Sequence, residues 1–581
     1  MGTVKRFVGV VLAVTAIYLP GTARVARAEW PRFGRPVVTA NNGQQHAAVA
    51  RDGAGGAIIT WQDFRSPRVN TFAQHVLASG ELDARWPVDG RSLLADPAAL
   101  DSADGGQISQ RIVSDGAGGA IVAWLDNRSP VTEIDVFAQH VLASGVVDPA
   151  WPANGAGLCV VEGVQNSLVL APDGVGGAIA AWLDVRPGGA SADIFAQHIL
   201  SSGTVDPRWP VNGIAVSAAP GAQELPVIAE DGAGGAFVAW EDARDPNNLD
   251  VFAEHVLSTG TLDPAWPVDG LPVGATIGSQ GRPAIGFDGC HGAIVAWVDN
   301  RSGTADHIFA QHVILTGVDP AWPANGRGIS GATAEESRPI LVTDGAGGAI
   351  VSWQAFNFNV AEYAQHVTAA GTVDPAWPAA GLRLSASELD ETQGAIAADD
   401  AGGAIVAWRE NFDVIVQHVL ASGTLDPQYG ATGRPVVALP SGQGDPAIVA
   451  SGGGGAVVAW TDTRKGTDVD IYAMQVAAIV TTGVPDSTPP GLALRRPGPN
   501  PARGSVTLRF SLPAPAPARL TIFDASGRLV RVLASGAQSG GEHVLAWDLR
   551  DQAGHDVPSR VYFARLETEG HTLTEKLVTV R

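Results

Sequence analysis

An aspartate and an arginine recur two residues apart, shortly after a tryptophan, at six places in this chain. The six pairs are Asp63 with Arg65, Asp126 with Arg128, Asp184 with Arg186, Asp242 with Arg244, Asp299 with Arg301, and Asp462 with Arg464. At a strand end, such a pair can fix a loop by a charge-assisted hydrogen bond. The same loops could instead line one face and bind a polar polymer such as a glycan, with Asp63, Arg65, Asp126 and Arg128 among the contacts. Carboxylates from two loops could also hydrolyse a glycosidic bond, although the spacing selects no particular pair.

Two loops depart from this W-x-D-x-R pattern. They read QAFNFNVAEY from Gln354 to Tyr363 and RENFD from Arg409 to Asp413. The aromatic and amide residues that they contribute are Phe356, Asn357, Phe358, Asn359 and Phe412. Aromatic and amide side chains together suit a sugar or peptide surface. The sequence therefore predicts these five residues as ligand contacts, with simple drift in a loop as the alternative.

Histidine also recurs once per repeat in seven repeats. The positions are His75, His140, His198, His255, His312, His366 and His418, with Gln475 at the eighth. Seven equivalent histidines on separate repeats would form a ring too wide for one ion, so we predict no metal. We expect each imidazole to hydrogen-bond a neighbouring repeat. The chain has no HExxH, GxSxG, P-loop or EF-hand sequence, and no cofactor is predicted.

Eight copies of one unit must position these side chains. The tryptophans that mark the copies are Trp61, Trp124, Trp182, Trp240, Trp297, Trp353, Trp408 and Trp460. Each unit carries a WPxxG segment, a DGAGG turn that suits residues with positive φ, and a strand such as AIVAW. Short segments of period two, bounded by Gly, Pro, Asn and Asp, predict four strands per unit and no helix.

A four-stranded sheet cannot cover both of its faces alone. Radial packing of such sheets buries each against its neighbours. We therefore predict an all-β fold with an eight-bladed β-propeller over residues 29–483, with the tryptophans buried between blades. No WPxxG segment follows Val480, so we predict that the strand near Arg35 to Thr39 completes the eighth blade.

The repeat, with its order DGAGGAIVAWxDxR, DIFAQHV and SGxxDPAWPxxG, resembles that of uncharacterised secreted bacterial β-propeller proteins. The resemblance covers residues 30 to about 480. It implies a propeller fold and almost nothing about activity, since propellers serve many functions.

The remaining residues predict a second, smaller domain. A Pro-rich linker at 484–490 precedes alternating strand-like segments over 491–581, which are typical of an immunoglobulin-like sandwich. The segments PNPARGSVTLRFSLP, IFDASGRLVRVL, GEHVLAWD and VYFARL resemble the FlgD-type immunoglobulin-like domain and the related C-terminal sorting domains of type IX secretion. That resemblance implies surface targeting or envelope anchorage. Arg560 stands where a glycine is common before VYF.

The N-terminus and the overall charge restrict the cellular setting. Lys5 and Arg6, an apolar run and a small-residue ARA site predict a signal peptide at 1–28. The net charge of −22 argues against nucleic acid and anionic membranes as partners. No later segment is apolar enough to span a membrane. We expect a monomer, secreted or on the outer cell surface, and no disulfide between Cys159 and Cys290, which lie at non-equivalent positions.

Three functions remain open from the sequence. The first is a secreted or surface propeller that binds a polysaccharide or a surface protein, with a C-terminal domain for sorting or attachment. The second is a polysaccharide hydrolase or lyase with carboxylates from different blades. It would gain support if two acidic side chains met in an axial cleft, one with a raised pKa. The third is a purely structural envelope component.

Overall fold

The computed structural model describes the chain in two compact units, Met1–Ile479 and Val480–Arg581. The described residues are 30–94, 106–129, 131–187, 191–331, 334–437, 439, 441–466, 468–476, 493–498, 502–512, 515–524, 528–539, 541–568 and 571–580. The predicted signal peptide at 1–28 and linker at 484–490 lie outside them. Within these ranges all regular structure is β, with no helix.

The described part of the first unit contains β1 (Arg35–Val38), β2 (Gln44–Arg51), β3 (Ala57–Asp63), β4 (Asn70–Val76), β5 (Arg91–Ser92), β6 (Gln107–Ser114), β7 (Ala120–Asp126), β8 (Asp135–Val141), β9 (Ala156–Cys159), β10 (Val164–Pro172), β11 (Ala178–Val185), β12 (Asp193–Ile199), β13 (Ile214–Ser217), β14 (Gln223–Glu230), β15 (Ala236–Asp245), β16 (Asn248–Val256), β17 (Leu271–Gly274), β18 (Gln280–Phe287), β19 (Gly292–Asp299), β20 (His307–Ile314), β21 (Gly317–Val318), β22 (Arg327–Gly328), β23 (Glu335–Thr343), β24 (Ala349–Asn357), β25 (Asn359–Val367), β26 (Leu382–Arg383), β27 (Glu391–Ala398), β28 (Ala404–Glu410), β29 (Asp413–Val419), β30 (Arg434–Pro435), β31 (Gln443–Gly452), β32 (Gly455–Asp462) and β33 (Asp470–Val476).

These strands pair into antiparallel sheets that follow the repeat. Sheets 1 to 7 start at β2, β6, β10, β14, β18, β23 and β27, and each takes the next strands in chain order. Sheet 8 is the exception, because its order is β1-β33-β32-β31. Arg35 of β1 pairs with Ala473 of β33. The prediction that the strand near Arg35 joins the last sheet is therefore confirmed.

Each sheet packs its faces against two other sheets. The first strands of consecutive sheets lie against one another, and β31 of sheet 8 lies against β2 of sheet 1. Trp61 is fully buried in a cluster that also contains Val457 and Ala459 of sheet 8, and the seven equivalent tryptophans are buried to the same degree. The predicted burial of the tryptophans between sheets is confirmed.

Glycine is required where the backbone approaches a tryptophan ring. Gly90 of the WPxxG segment has φ +91°, and a Cβ there would lie 2.4 Å from the Trp61 ring. Gly56 of the DGAGG turn is equally confined, since a Cβ there would lie 2.3 Å from the Val76 carbonyl oxygen. A side chain at either position would therefore displace neighbouring atoms.

The described part of the second unit contains β34 (Ala493–Gly498), β35 (Val506–Leu512), β36 (Ala516–Asp524), β37 (Leu529–Gln538), β38 (Gly541–Trp547), β39 (Val561–Thr568) and β40 (His571–Val578). They form two antiparallel sheets, ordered β34-β35-β38 and β37-β36-β39-β40. One apolar cluster between them includes Phe510, Leu520 and Trp547. This arrangement is the two-sheet packing that the sequence predicts for this region.

Candidate functional site

The W-x-D-x-R motif folds into a closed group of side chains, which we call the clasp. In sheet 1, Trp61 Nε1 donates to Asp63 Oδ2 at 2.8 Å. Arg65 donates to Asp63 Oδ1 from Nε at 2.7 Å and to Oδ2 from Nη2 at 2.6 Å. The guanidinium also donates to the Asp89 carbonyl oxygen and lies 4.1 Å from the Phe72 ring centroid. One arginine thus joins two loops and an aromatic ring.

Six sheets carry a clasp, and in all six the carboxylate is buried. The six aspartates are Asp63, Asp126, Asp184, Asp242, Asp299 and Asp462, each at most 1% exposed. The loop-fixing role that the sequence indicates is confirmed by these bonds. The Asp63 and Asp126 carboxylates are closed to solvent by their own Trp and Arg partners, so only the edges of Arg65 and Arg128 reach the surface.

Sheets 6 and 7 lack the clasp and expose aromatic rings instead. Phe358 is fully exposed at the β24–β25 hairpin, Phe356 is 44% exposed beside it, and Phe412 at the β28–β29 hairpin is 66% exposed. Asn359 Nδ2 donates to the Leu389 carbonyl oxygen at 3.4 Å. The Asn357 side chain lies outside the described part of the chain. The two hairpins are equivalent in their sheets, so the predicted contact residues occupy the same ends of adjoining sheets.

The recurring histidines bind within their own sheets, so the expected bond to a neighbouring repeat is wrong. His75 Nε2 lies 3.0 Å from Asp52 Oδ2, and Nδ1 lies 3.0 Å from Asp83 Oδ2. Asp52 precedes β3 and Asp83 follows β4, so the ring joins two turns at one end of the sheet. Asp52 Oδ1 also accepts the backbone N–H groups of Ala54 and Gly56. The DGAGG turn therefore needs its aspartate as much as its glycines.

The same Asp–His–Asp bridge recurs in sheets 1 to 7. Sheet 8 replaces it by a neutral pair in which Gln475 Nε2 donates to Ser451 Oγ at 2.9 Å. Among the described residues, no cluster of His, Cys, Asp and Glu could hold a metal ion. In sheet 1 the bridge links the turn of Asp52 to that of Asp83.

Five of these bridges become less stabilising at alkaline pH, those of His140, His255, His312, His366 and His418. Burial alone would lower the pKa of His140, but hydrogen bonds to Asp115 and Asp148 outweigh it and raise the pKa above 6.5. Their contribution to stability is complete below pH 6.5 and is lost as the pH rises through the raised value. Glu254 also makes the folded chain less stable at alkaline pH. Burial raises its pKa to about 7, so its carboxyl group ionises at a lower pH in the unfolded chain than in the folded chain.

We therefore predict that the free energy of unfolding falls by roughly 1–3 kcal/mol between pH 5 and pH 8. The Glu254→Gln variant should be more stable at pH 8 and show a shallower slope, since six other sheets carry glutamine at this position. Chemical denaturation across this pH range tests both statements. A slope that Glu254→Gln leaves unchanged would contradict the assignment to this group.

A second set of eight side chains was not predicted from the sequence. Each first strand contains a bulge two or three residues after its start, where pairing with the second strand shifts, as between Gln45 and Ala48. The residue in each bulge has φ between 48° and 59°. We call these residues the bulge set. Its members in sheets 1 to 8 are His46, Ser109, Ser167, Leu225, Arg282, Arg338, Gln393 and Asp445.

The bulge set combines one backbone geometry with eight side chains of mixed chemistry. A left-handed backbone is unusual for such residues and is costly unless the surroundings impose it. Bulges re-aim a side chain and are common beside functional sites. The residue two positions before the bulge is glutamine in six sheets and glutamate in two, whereas the bulge position carries six residue types. The scaffold therefore presents them in a constant way while leaving their chemistry free.

Three members of the bulge set face one cavity. His46, Ser109 and Asp445, from sheets 1, 2 and 8, line an opening of about 320 Å³ together with Gln62 and Arg111. Asp445 also contacts the bulge residue of sheet 7, since Gln393 Nε2 donates to Asp445 Oδ1 at 2.6 Å. This polar opening lies near the same strand ends as the W-x-D-x-R loops, because Gln45 pairs with Gln62.

Two acidic side chains with raised pKa values also meet between sheets 6 and 7. The Glu362 backbone N–H donates to Glu391 Oε2 at 2.7 Å, and burial raises the pKa of each carboxyl group to about 7. Gln354 Nε2 donates to Glu362 Oε1 at 3.0 Å. The two residues are 1% and 0% exposed. The raised pKa values are those expected of a hydrolase, but both carboxyl groups are buried and inaccessible to solvent.

The two cysteines are not paired. Cys159 is buried and Cys290 is exposed, and both are free. Among the residues that the structure describes, no helix has the length and hydropathy needed to cross a membrane.

The described strands define an all-β protein with many four-stranded antiparallel sheets. Among known families, the FlgD Ig-like domain family matches residues 501–571, the region that resembles this domain in sequence. No curated protein matches the chain.

Several solved structures are similar to this chain at low identity. A protein of unknown function from Dyadobacter fermentans is 9% identical, covering 54% of this chain and 94% of its own, with a TM-score of 0.31. An α-L-arabinanase from Penicillium chrysogenum, complexed with arabinobiose, is 14% identical over 53% and 93%, with a TM-score of 0.32. Prolyl oligopeptidase B from Galerina marginata is 11% identical over 76% and 56%, with a TM-score of 0.40.

Proposed function

We propose that this protein is a secreted or cell-surface binding protein whose eight sheets are the blades of one propeller. The cyclic order of contacts between first strands supports a ring, and β1 in sheet 8 supports its closure. Such a ring has no long free edge, which suits an exported, turn-rich protein. The FlgD Ig-like domain would sort or attach it, after removal of a signal peptide at 1–28.

The observation that carries the binding function is the bulge set. In a propeller, first strands surround the axis, so these eight side chains would gather at one axial opening. A purely structural repeat has no need of six different residue types at one strained position. The ligand would be a polysaccharide or a surface protein, with the exposed phenyl rings of sheets 6 and 7 on the rim of the same face.

The carboxyl pair of sheets 6 and 7 bears on the alternative, a polysaccharide hydrolase. Two carboxyl groups that titrate near neutrality are a common arrangement for acid–base chemistry. Glu362 and Glu391, however, are covered by their own sheets, and a glycosidic bond must touch both groups. We therefore favour binding, and the release of soluble products decides between the two functions.

We predict that the full chain retains at least one member of a panel of polysaccharides and surface proteins without releasing products. Replacing Phe356, Phe358 and Phe412 together by alanine should weaken that retention about tenfold, since each exposed ring offers stacking area. Retention on immobilised ligand, with reducing-end and peptide release scored in parallel, measures both. Replacing the exposed Val88, Val211 and Val268 by alanine, in the WPVDG and WPVNG turns, is the matched control.

Two results would go against the proposal. Product release would favour the hydrolase, and mutagenesis would then begin at Glu362 and Glu391. Unchanged retention by the triple alanine variant would show that the three phenylalanines are not part of the binding surface.

A further inference from the structure

Sheet 7 has the acceptors of a clasp but lacks its arginine. Glu410 occupies the position of Asp63 of sheet 1, and Phe412 occupies that of Arg65. Phe412 turns to solvent. Ile415 pairs with Trp408 where a phenylalanine pairs with the tryptophan in sheet 1. The guanidinium that fills this place in six other sheets therefore has no counterpart here.

Three polar atoms are left without partners at this place. They are Trp408 Nε1, Glu391 Oε1 and Glu410 Oε2. Trp408 and Glu391 are fully buried, and Glu391 pairs directly with Glu410 across β27 and β28. Buried donors and acceptors are rarely left unpaired. The two glutamates thus form an incomplete clasp, which we call the half-site. Solvent reaches it at the half-buried Glu410.

Sheet 6 shows that the loss of an arginine does not by itself leave such atoms unpaired. Ala355 replaces the aspartate there, and Trp353 Nε1 donates to Glu336 Oε1 at 3.1 Å. Glu336 is in turn 3.4 Å from His307 Nδ1. Sheet 6 therefore pairs its tryptophan N–H with a carboxylate, whereas Trp408 Nε1 of sheet 7 has no partner.

Two arginines near sheet 7 donate to backbone carbonyl oxygens, although the charge of Arg383 also acts on Glu391. Arg409 Nε donates to the Asn411 carbonyl oxygen at 2.9 Å, and Arg383 Nη2 donates to the Ser387 carbonyl oxygen at 2.5 Å. Burial raises the pKa of Glu391 to about 7, against the lowering effects of the Glu362 amide, a hydrogen bond to Ser385 and the charge of Arg383. A bound cation would favour the ionised form of this carboxyl group.

We propose that sheet 7 is completed by the arginine side chain of a partner polypeptide, whose guanidinium binds the half-buried Glu410 next to the buried carboxyl group of Glu391. The inference rests on the proposed binding function and specifies the chemistry of the partner. The six internal clasps supply the template, because in each a planar guanidinium meets a buried carboxylate and a carbonyl oxygen. Arginine fits this fork better than lysine, which offers one compact charge.

The test uses the full chain and a short capped peptide with one arginine, measured by calorimetry. The peptide should bind at least about tenfold more tightly than the same peptide with citrulline, which keeps the shape without the charge. Glu410→Gln should abolish the difference. The double variant Glu410→Asp, Phe412→Arg writes the clasp of the other sheets into sheet 7, so it should lose the preference for arginine and gain thermal stability. Phe412→Ala controls for loss of the ring.

Equal affinity for the arginine and citrulline peptides would overturn the inference, as would a preference for arginine that survives in the double variant. A panel ligand whose retention is indifferent to Glu410→Gln would count against this inference alone. The absence of any retained ligand would count against the proposed function instead.

Discussion

Replacing His198 by alanine should lower the free energy of unfolding by about 3–5 kcal/mol, the usual cost of removing one partner from a buried charged group. The imidazole lies 3.0 Å from Asp173 Oδ2 and 2.9 Å from Asp206 Oδ2. All three side chains are at most 4% exposed. Alanine would leave two buried carboxylates facing each other across an empty space. Chemical denaturation of the full chain at pH 6 measures the loss.

The chain itself offers the matched control for this prediction. Sheet 8 has Ser451 and Gln475 where sheet 3 has Asp173 and His198. The double variant Asp173→Ser, His198→Gln copies that neutral pair, so it should lose much less stability than His198→Ala. Equal losses in the two variants would show that the bridge acts through packing and not through its charges.

The sequence predicts the strands and sheets well because their signals are local and repeated. Period-two segments, Gly turns and a tryptophan in every unit indicate four strands and the burial of the ring. The exchange of β1 into sheet 8 is also predictable, since the last unit lacks its own WPxxG strand. Each of these features depends on residue type and order along the chain.

The partners of the histidines were not predictable from the same signals. A repeat shows that His75 recurs but not whether its ring turns toward its own sheet or the next. The answer depends on where the turns that carry Asp52 and Asp83 meet, which is set by packing at the strand ends. Recurrence along the chain therefore establishes a shared role without identifying the contact.

The bulge set was missed because a site that varies gives no repeat signal. One clue was available, since proline follows the bulge residue in four sheets, at Pro226, Pro283, Pro339 and Pro446. Proline inside a predicted strand marks an edge or a bulge. The sheet 7 half-site was likewise visible only as a missing arginine, and its unpaired atoms required the structure.

We predict that replacing Arg282 and Arg338 together by serine weakens ligand binding at least about tenfold. These two residues are the cationic members of the bulge set and belong to adjoining sheets. They are exposed in a chain of net charge −22, so they can attract acidic or polar groups that other surfaces repel. Serine already occupies the same left-handed position in sheets 2 and 3, which limits any effect on the fold.

The affinity of the retained panel ligand for this serine variant is the measurement that tests the proposed binding site most directly. The charge-matched control replaces Arg85 and Arg208, which pair with Asp83 and Asp206 at the opposite strand ends. A loss of tenfold or more with Arg282 and Arg338, and little change with the control, is the result expected if the bulge set binds the ligand. Equal affinities for both variants and the unaltered chain would contradict a binding site at these first-strand bulges.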